Sequence, residues 1–238
     1  MKSVAYKTYI LTLREFKRNF RNMAYIITII MPFIITMVFF GILSAKSVSK
    51  ITSFSLFANL NILTLSIISF SLAILTETEN KVGLHLLQSG IKISQLIISK
   101  CIATTICVVF YQVFLGIIYQ LSLLAIVKVI VISIIVALVV QVLIALISYR
   151  CSNESFIGNS ITIIYTLFLL VPEFQEFYGI IKYAVKILPT YYSKSFIDLA
   201  IGLPVHMNFI PLFIVLLIWL IVPIVMIKKH YTRVGSKA

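Results

Sequence analysis

The side chains that could do catalytic or metal chemistry in this sequence are few, and their spacing favours neither. Glu77 and Glu79 form the closest carboxylate pair. We place them at the start of a helix, where acidic side chains interact favourably with the helix dipole or with a docking partner. No Gly-x4-Gly-Lys-Ser/Thr loop is present to bind phosphates. We therefore predict no catalytic residue and no metal site, and we assign no chemistry to His85, His206, His230, Cys101, Cys107 and Cys151.

Amides inside apolar stretches are the second set of candidates. We expect Asn59, Gln112, Gln141 and Asn159 along a substrate path, and hydrogen bonding to a neighbouring helix is the alternative for each of them. Asn59 and Asn61 lie about 200° apart around a helix, so they cannot face the same surface. We predict that Asn59 faces the path and that Asn61 faces another helix.

Six apolar stretches must position these residues, each about as long as a helix that crosses a membrane. If the N-terminus is cytoplasmic, fourteen of the 20 lysines and arginines fall on the cytoplasmic side and six on the outside. This bias predicts that both termini are cytoplasmic. The stretches are Met23–Ser44, Ser53–Thr76, Gln95–Tyr119, Val129–Ser148, Phe156–Pro172 and Phe209–Ile227.

The composition excludes most other classes of protein. With 61% hydrophobic and 11% charged residues, the chain is too apolar for a soluble domain. The net charge of +13 could indicate nucleic-acid binding. Most basic residues, however, flank the apolar stretches on the predicted cytoplasmic side, where they would meet anionic lipid headgroups. We predict a single all-α transmembrane domain over residues 1–238, with six transmembrane helices and no nucleic-acid partner. No ionised side chain is expected near the middle of the membrane.

Residues 1–22 have the pattern of an amphipathic helix that lies in the membrane interface. Their apolar side chains recur every three or four positions and lie beside a basic face. A solvated basic tail that only sets topology is the alternative. The apolar positions are Tyr6, Tyr9, Ile10, Leu13, Phe16 and Phe20.

Two connections between spans are too apolar to be simple loops. Residues 77–94, on the cytoplasmic side, predict a short helix that ends at Ser89-Gly90, a typical C-cap pair. Its apolar side must be buried against lipid headgroups or a protein partner. Residues 173–208, on the outside, predict two short helices that are broken at Leu188-Pro189, with the second over Tyr191–Ile201.

Taken in order, these features resemble the permease subunit of ABC-2 type transporters, which have the type V exporter fold. The resemblance covers the whole chain. It is most specific in the 77–94 segment, where family members have acidic residues, Gly-Thr, a Leu pair, a small residue with Pro, and a Lys that opens the third span. Here the segment has Leu84 and Gly90 in place of the Thr and the Pro. The matching residues are Glu77, Glu79, Gly83, Leu86, Leu87, Ser89 and Lys100.

The resemblance implies a fold and a function. It implies an N-terminal interfacial helix, a cytoplasmic coupling helix and an extracellular broken helix pair around the six spans. It also implies coupling to a separate ABC ATPase, which would carry the ATP and Mg²⁺, and pairing with a second or homologous permease in a bacterial plasma membrane. The coupling residues would be Glu77, Glu79, Val82, Gly83, Leu86 and Leu87.

The predicted function is export of an amphiphile, peptide or drug-like substrate. An interior with amides, hydroxyls and aromatic rings suits such a substrate better than a bare ion. A secondary transporter or channel that needs no ATPase is one alternative. A membrane immunity or assembly protein that transports nothing is the other.

Overall fold

The computed structural model describes residues 4–45, 50–79, 85–86, 88–150, 154–173, 186, 188–203, 214–215 and 217–226. In this part of the chain every long regular element is a helix. A π-helical turn, Leu65–Ser69, joins two of the helices, so that 50–79 runs as one helix. The elements are α1 Val4–Asn19, α2 Met23–Ala45, α3 Lys50–Thr64, α4 Phe70–Glu79, α5 Ile93–Ile118, α6 Leu123–Arg150, α7 Glu154–Glu173, α8 Pro189–Ala200 and α9 Leu217–Met226.

Four helical segments are long and apolar enough to cross a membrane: Met23–Ile42, Ser53–Glu77, Ile93–Ile118 and Leu123–Ser148. They correspond to the first four predicted stretches, and they make this an all-helical protein of the membrane-embedded kind. The fifth and sixth stretches contribute shorter apolar helical segments to the described residues, Asn159–Phe168 and Leu217–Met226. The count of six spans therefore remains a prediction.

The helix formed by α3, the π turn and α4 lies at the centre of the bundle. Of its most apolar 18 residues, 72% are buried, compared with 17% in α2. Its buried side chains pack against α5 and α6, whose inward faces complete the core. Because few residues of α2 are buried, its exposed face is available to contact lipid. The core includes Phe54, Phe57, Ile62, Phe70, Tyr111, Leu115, Val136, Val140 and Ile144.

The connection between α5 and α6 requires a close approach of Gly116 to Ile126 and an unusual backbone conformation at Gln120. A Cβ atom added to Gly116 would lie 2.6 Å from Cγ1 of Ile126, so only glycine leaves room for that side chain. Gln120 takes a positive φ of 54°, and the Leu121 N–H donates to the Gly116 carbonyl at 2.9 Å. This hydrogen bond closes the end of α5 and turns the chain back into α6.

Two further helix ends agree with the sequence analysis. Gly90 has a φ of +80°, and the Ile91 N–H donates to the Leu86 carbonyl at 3.1 Å, as in the predicted C-cap. Helix α8 begins at Pro189, after an extended Leu188, and ends at Ala200. These bounds confirm the break at Leu188-Pro189 and the helix after it. The helix predicted before the break lies almost entirely outside the described residues.

Candidate functional site: a buried ion network at one end of the bundle

Helix α1 docks on the bundle with a polar face and leaves its apolar face exposed. The docked face consists of Leu11, Thr12, Glu15 and Asn19, all of which are buried. The predicted apolar stripe lies on the other side, and five of its six members are exposed large hydrophobics, with Phe16 half-buried. An amphipathic helix in an aqueous protein would be docked the other way round. The exposed members are Tyr6, Tyr9, Ile10, Leu13 and Phe20.

A network of four ionised side chains holds the docked face. The Lys100 ammonium lies 2.7 Å from Oε2 of Glu77 and 3.2 Å from Oε2 of Glu15. The same Glu15 oxygen lies 2.5 Å from Nη2 of Arg18. Arg18 Nη2 also donates to the Ala73 carbonyl at 2.8 Å. The network thus joins α1, α4 and α5, three elements that are distant in sequence.

Burial makes these contacts energetically important. The side chains of Lys100 and Glu15 are fully buried, and that of Glu77 is 3% exposed. Charges removed from water carry a large desolvation penalty, which only close pairing with the opposite charge offsets. Two carboxylates and two cations make the network neutral as a set. Loss of any one member would leave an uncompensated charge inside the bundle.

The network corrects two predictions. Glu77 and Glu79 do not open a helix, because they lie in the last turn of α4 and Glu77 is committed to Lys100. The interior of the bundle also holds ionised groups that the sequence analysis had placed at the ends of the spans. Lys100 lies seven residues into α5, which is about 10 Å along the helix axis.

The rest of the 77–94 segment is described only in part. Val82, Gly83 and Leu87 lie outside the described residues, and Glu79 is described only as the last residue of α4. Leu86 is helical and half-buried, and His85 and Gln88 beside it are exposed. The Ser89 hydroxyl donates to the Leu86 carbonyl at 2.7 Å. The segment therefore begins with Glu77 in the ion network, and its described helical turn ends at Gly90.

Three of the four predicted path residues lie in the interior of the chain. The Gln112 amide donates to the Ala58 carbonyl at 3.1 Å, and the Gln141 carbonyl oxygen accepts from Thr105 at 3.3 Å. Asn59 is also buried, and its Oδ1 accepts a hydrogen bond from the Ser193 hydroxyl of α8. These contacts are those of amides that hold helices together.

The two remaining amides differ from each other. Asn61 is buried and donates to the Phe57 carbonyl at 2.6 Å and to Thr36 of α2 at 3.4 Å, so it faces a neighbouring helix as predicted. Asn159 of α7 is exposed on the surface of the chain. Among the four path candidates it alone could face a second chain.

The sequence analysis missed Glu15 and gave Lys100 the wrong surroundings. Glu15 was not singled out as a candidate, and Lys100 was interpreted as the residue that opens the third span. One signal was present: Glu15 is the only acidic residue in the first 76 positions, and it lies on the side opposite the apolar stripe. An isolated carboxylate on a helix with four basic residues suggests a partner for it, but the pattern alone does not show which one.

No protein-family model matches this chain, and no curated protein matches it either.

Proposed function

We propose that this chain is the permease subunit of an ATP-driven exporter with six membrane spans and cytoplasmic termini. A separate nucleotide-binding subunit would bind ATP and Mg²⁺, and a second copy or a homologous permease would complete the transport path. The proposal places the complex in a bacterial plasma membrane. It is drawn from the order of segments along the sequence and from the geometry of the ion network.

The observation that carries the proposal is the ion network between α1, α4 and α5. The 77–94 segment leaves the bundle from α4 and returns to it through α5. A partner that pushes on this segment would move Glu77 and Lys100, and both charges are bound to each other and, through Glu15, to α1. The network is thus a mechanical link from a cytoplasmic docking site to the interfacial helix. A partner drives such a link only if it binds two permease states with different affinity.

The surfaces of α1 support the same arrangement. Its polar face is docked, its aromatic stripe is exposed and its basic side chains, such as Lys7 and Lys17, are exposed between them. A helix with these three faces fits the interface, with the aromatic side in lipid and the basic side toward headgroups and cytoplasm. A helix in this position would move together with the membrane spans.

The exposed face of α7 supports pairing with another permease. Asn159, Thr162 and Thr166 are all exposed, and they lie on one side of the helix at spacings of three, four and seven. The exposed amide of Asn159 is unfavourable against lipid tails. A path between two copies would hydrate this amide and would bring it to an amphiphile, a peptide or a drug-like substrate.

One observation favours a second candidate, a secondary transporter that needs no ATPase. Ionisable residues inside a bundle are typical of ion-coupled transport, and Lys100 and Glu77 are such residues. In that case the network would change its protonation or its partners during transport. The two candidates differ in their energy source.

The test is to purify the tagged chain from its native membrane in mild detergent and to measure ATP hydrolysis. The proposal predicts a copurified nucleotide-binding subunit and vanadate-sensitive hydrolysis. In liposomes, export of a fluorescent amphiphile should then require ATP. Uptake or export that follows an imposed pH gradient without ATP would contradict the proposal and favour the secondary transporter.

A further inference from the structure

A groove of about 390 Å³ lies between α6 and α8, at the end of the bundle opposite the ion network. Helix α6 contributes Val127, Lys128, Val131 and Ile132 to its lining, and α8 contributes Phe196, Leu199 and Ala200. Apart from Lys128, every lining side chain is apolar. The groove is open on one side, and Val127, Val131 and Leu199 are exposed along it.

Lys128, the charged residue of the groove, lies at the end of the groove that is nearest the membrane surface. Helix α6 begins at Leu123, so Lys128 is about 7.5 Å along the helix, near the depth of the lipid headgroups. Val131 and Ile132 lie about one turn deeper, where acyl chains begin. A lysine at this depth extends its flexible stem along the apolar surface and places its ammonium among the headgroups.

Lys128 forms no ion pair in the described part of the chain. Its side chain is exposed and takes part in none of the ion pairs found there, although α8 carries Asp198 next to the groove residue Leu199. A cation above an apolar groove, in a helix that spans a membrane, matches a phospholipid in both charge and orientation. The phosphate would meet the ammonium, and the acyl chain would lie in the groove.

We propose that this groove binds one anionic phospholipid, with its headgroup on Lys128 and an acyl chain between α6 and α8. The lipid would fill the space between a spanning helix and a short helix that does not span. The inference requires only that α6 is embedded in a membrane, so it stands apart from the proposed transport function.

The experiment uses the full chain in nanodiscs that contain phosphatidylcholine and a phosphatidylglycerol with a photoactivatable group in its acyl chain. Crosslinked peptides are mapped by mass spectrometry, and a photoactivatable phosphatidylcholine is the headgroup control. We expect the glycerol lipid to label the groove segments of α6 and α8 more strongly than the choline lipid. Lys128→Gln should lower that labelling about fivefold, the effect of removing one lysine near an anionic surface.

A pair of variants tests the groove itself. Val131→Phe should block labelling in the groove by both lipids, because the ring fills the acyl-chain position. Ile106→Phe is the control, since Ile106 is an exposed residue of α5 that does not line the groove, and it should change nothing. Equal labelling by the two lipids in the unmodified protein, or labelling that survives Val131→Phe, would overturn the proposal. Both substituted positions are exposed, and unchanged thermal unfolding should confirm that both variants fold.

Discussion

Four side chains, Glu15, Arg18, Glu77 and Lys100, determine how the N-terminal helix is held on the bundle. Their contacts span 85 positions of sequence between Glu15 and Lys100. Each one alone resembles a residue that flanks a span or caps a helix. Because these side chains are largely buried, losing a contact among them costs more free energy than losing the same contact at the surface.

Replacing Lys100 with Met should destabilise the protein strongly. The change leaves Glu77 buried without its cation, and removing one partner of a buried ion pair costs about 3–5 kcal/mol. Adding Glu77→Gln removes the stranded charge, so the double variant should be more stable than Lys100→Met alone. The measurement is thermal unfolding in detergent.

Lys17→Met is the control for that experiment, because Lys17 is an exposed cation of α1. It should change the free energy of unfolding by no more than about 0.5 kcal/mol. Equal stability of Lys100→Met and the unmodified protein would show that the network contributes nothing to the fold.

The amides Asn59 and Asn159 should respond differently to replacement by Leu. Asn59→Leu removes the acceptor of Ser193, whose hydroxyl retains the Thr190 carbonyl at 2.7 Å, so the loss of stability should be about 1 kcal/mol or less. Asn159→Leu alters an exposed site and should leave stability unchanged. If the path lies between two copies, Asn159→Leu should nevertheless reduce export of a fluorescent amphiphile. Reduced export in Asn59→Leu alone, at unchanged stability, would instead place the path inside the protomer.

At the scale of elements, local signals in the sequence were enough to predict which segments are helical and where several of the helices begin or end. Ser89-Gly90 and Leu188-Pro189 are examples, because Gly permits a positive φ and Pro opens a helix without losing a hydrogen bond. The π turn at Leu65–Ser69 and the docking face of α1 were not predictable in this way. Both depend on what packs against them. For the same reason the sequence could not show that Glu15, Glu77 and Lys100 converge.

The turn between α5 and α6 should be sensitive to one methyl group. Gly116→Ala would place a Cβ 2.6 Å from Cγ1 of Ile126, so the hairpin must shift, at a cost of about 1–3 kcal/mol. Gly41→Ala is the matched control, because a Cβ there meets nothing within 4 Å and Ala favours a helix over Gly. Thermal unfolding should show a loss for the first and no loss for the second.

A double variant that removes the contact between residues 116 and 126 completes the test. In a Gly116→Ala, Ile126→Ala double variant the new methyl no longer meets Cγ1. Its stability should then exceed that expected from adding the two single effects. Strict additivity would mean that the close approach of Gly116 and Ile126 is not what limits the hairpin.

At the scale of the whole molecule, export by this chain requires a defined orientation in the membrane. With Cys101, Cys107 and Cys151 replaced, a cysteine at Lys182 or Lys194 should react with an impermeant maleimide added outside the cell. A cysteine at Lys92 or Lys237 should react only after the membrane is permeabilised. Labelling in the reverse sense would contradict the six-span arrangement with cytoplasmic termini.

The central claim is that a partner ATPase docks on the 77–94 segment and drives the spans through the ion network. Among the six predicted coupling residues, Leu86 is the one whose apolar side chain is described, and a charge at its position should prevent docking without unfolding the bundle. Gln88 lies about 200° away around the helical turn and is exposed, so Gln88→Glu adds a charge on the opposite side and serves as the matched control.

The most direct measurement is vanadate-sensitive ATP hydrolysis that copurifies with the tagged chain, compared between the unmodified protein, Leu86→Asp and Gln88→Glu. We predict that Leu86→Asp loses at least about nine-tenths of the activity, because a tenfold loss of binding corresponds to only about 1.4 kcal/mol. Membrane abundance and thermal unfolding should stay unchanged, and Gln88→Glu should retain the activity. An unmodified chain that purifies with no ATP hydrolysis, or a Leu86→Asp variant that retains it in full, would contradict the account.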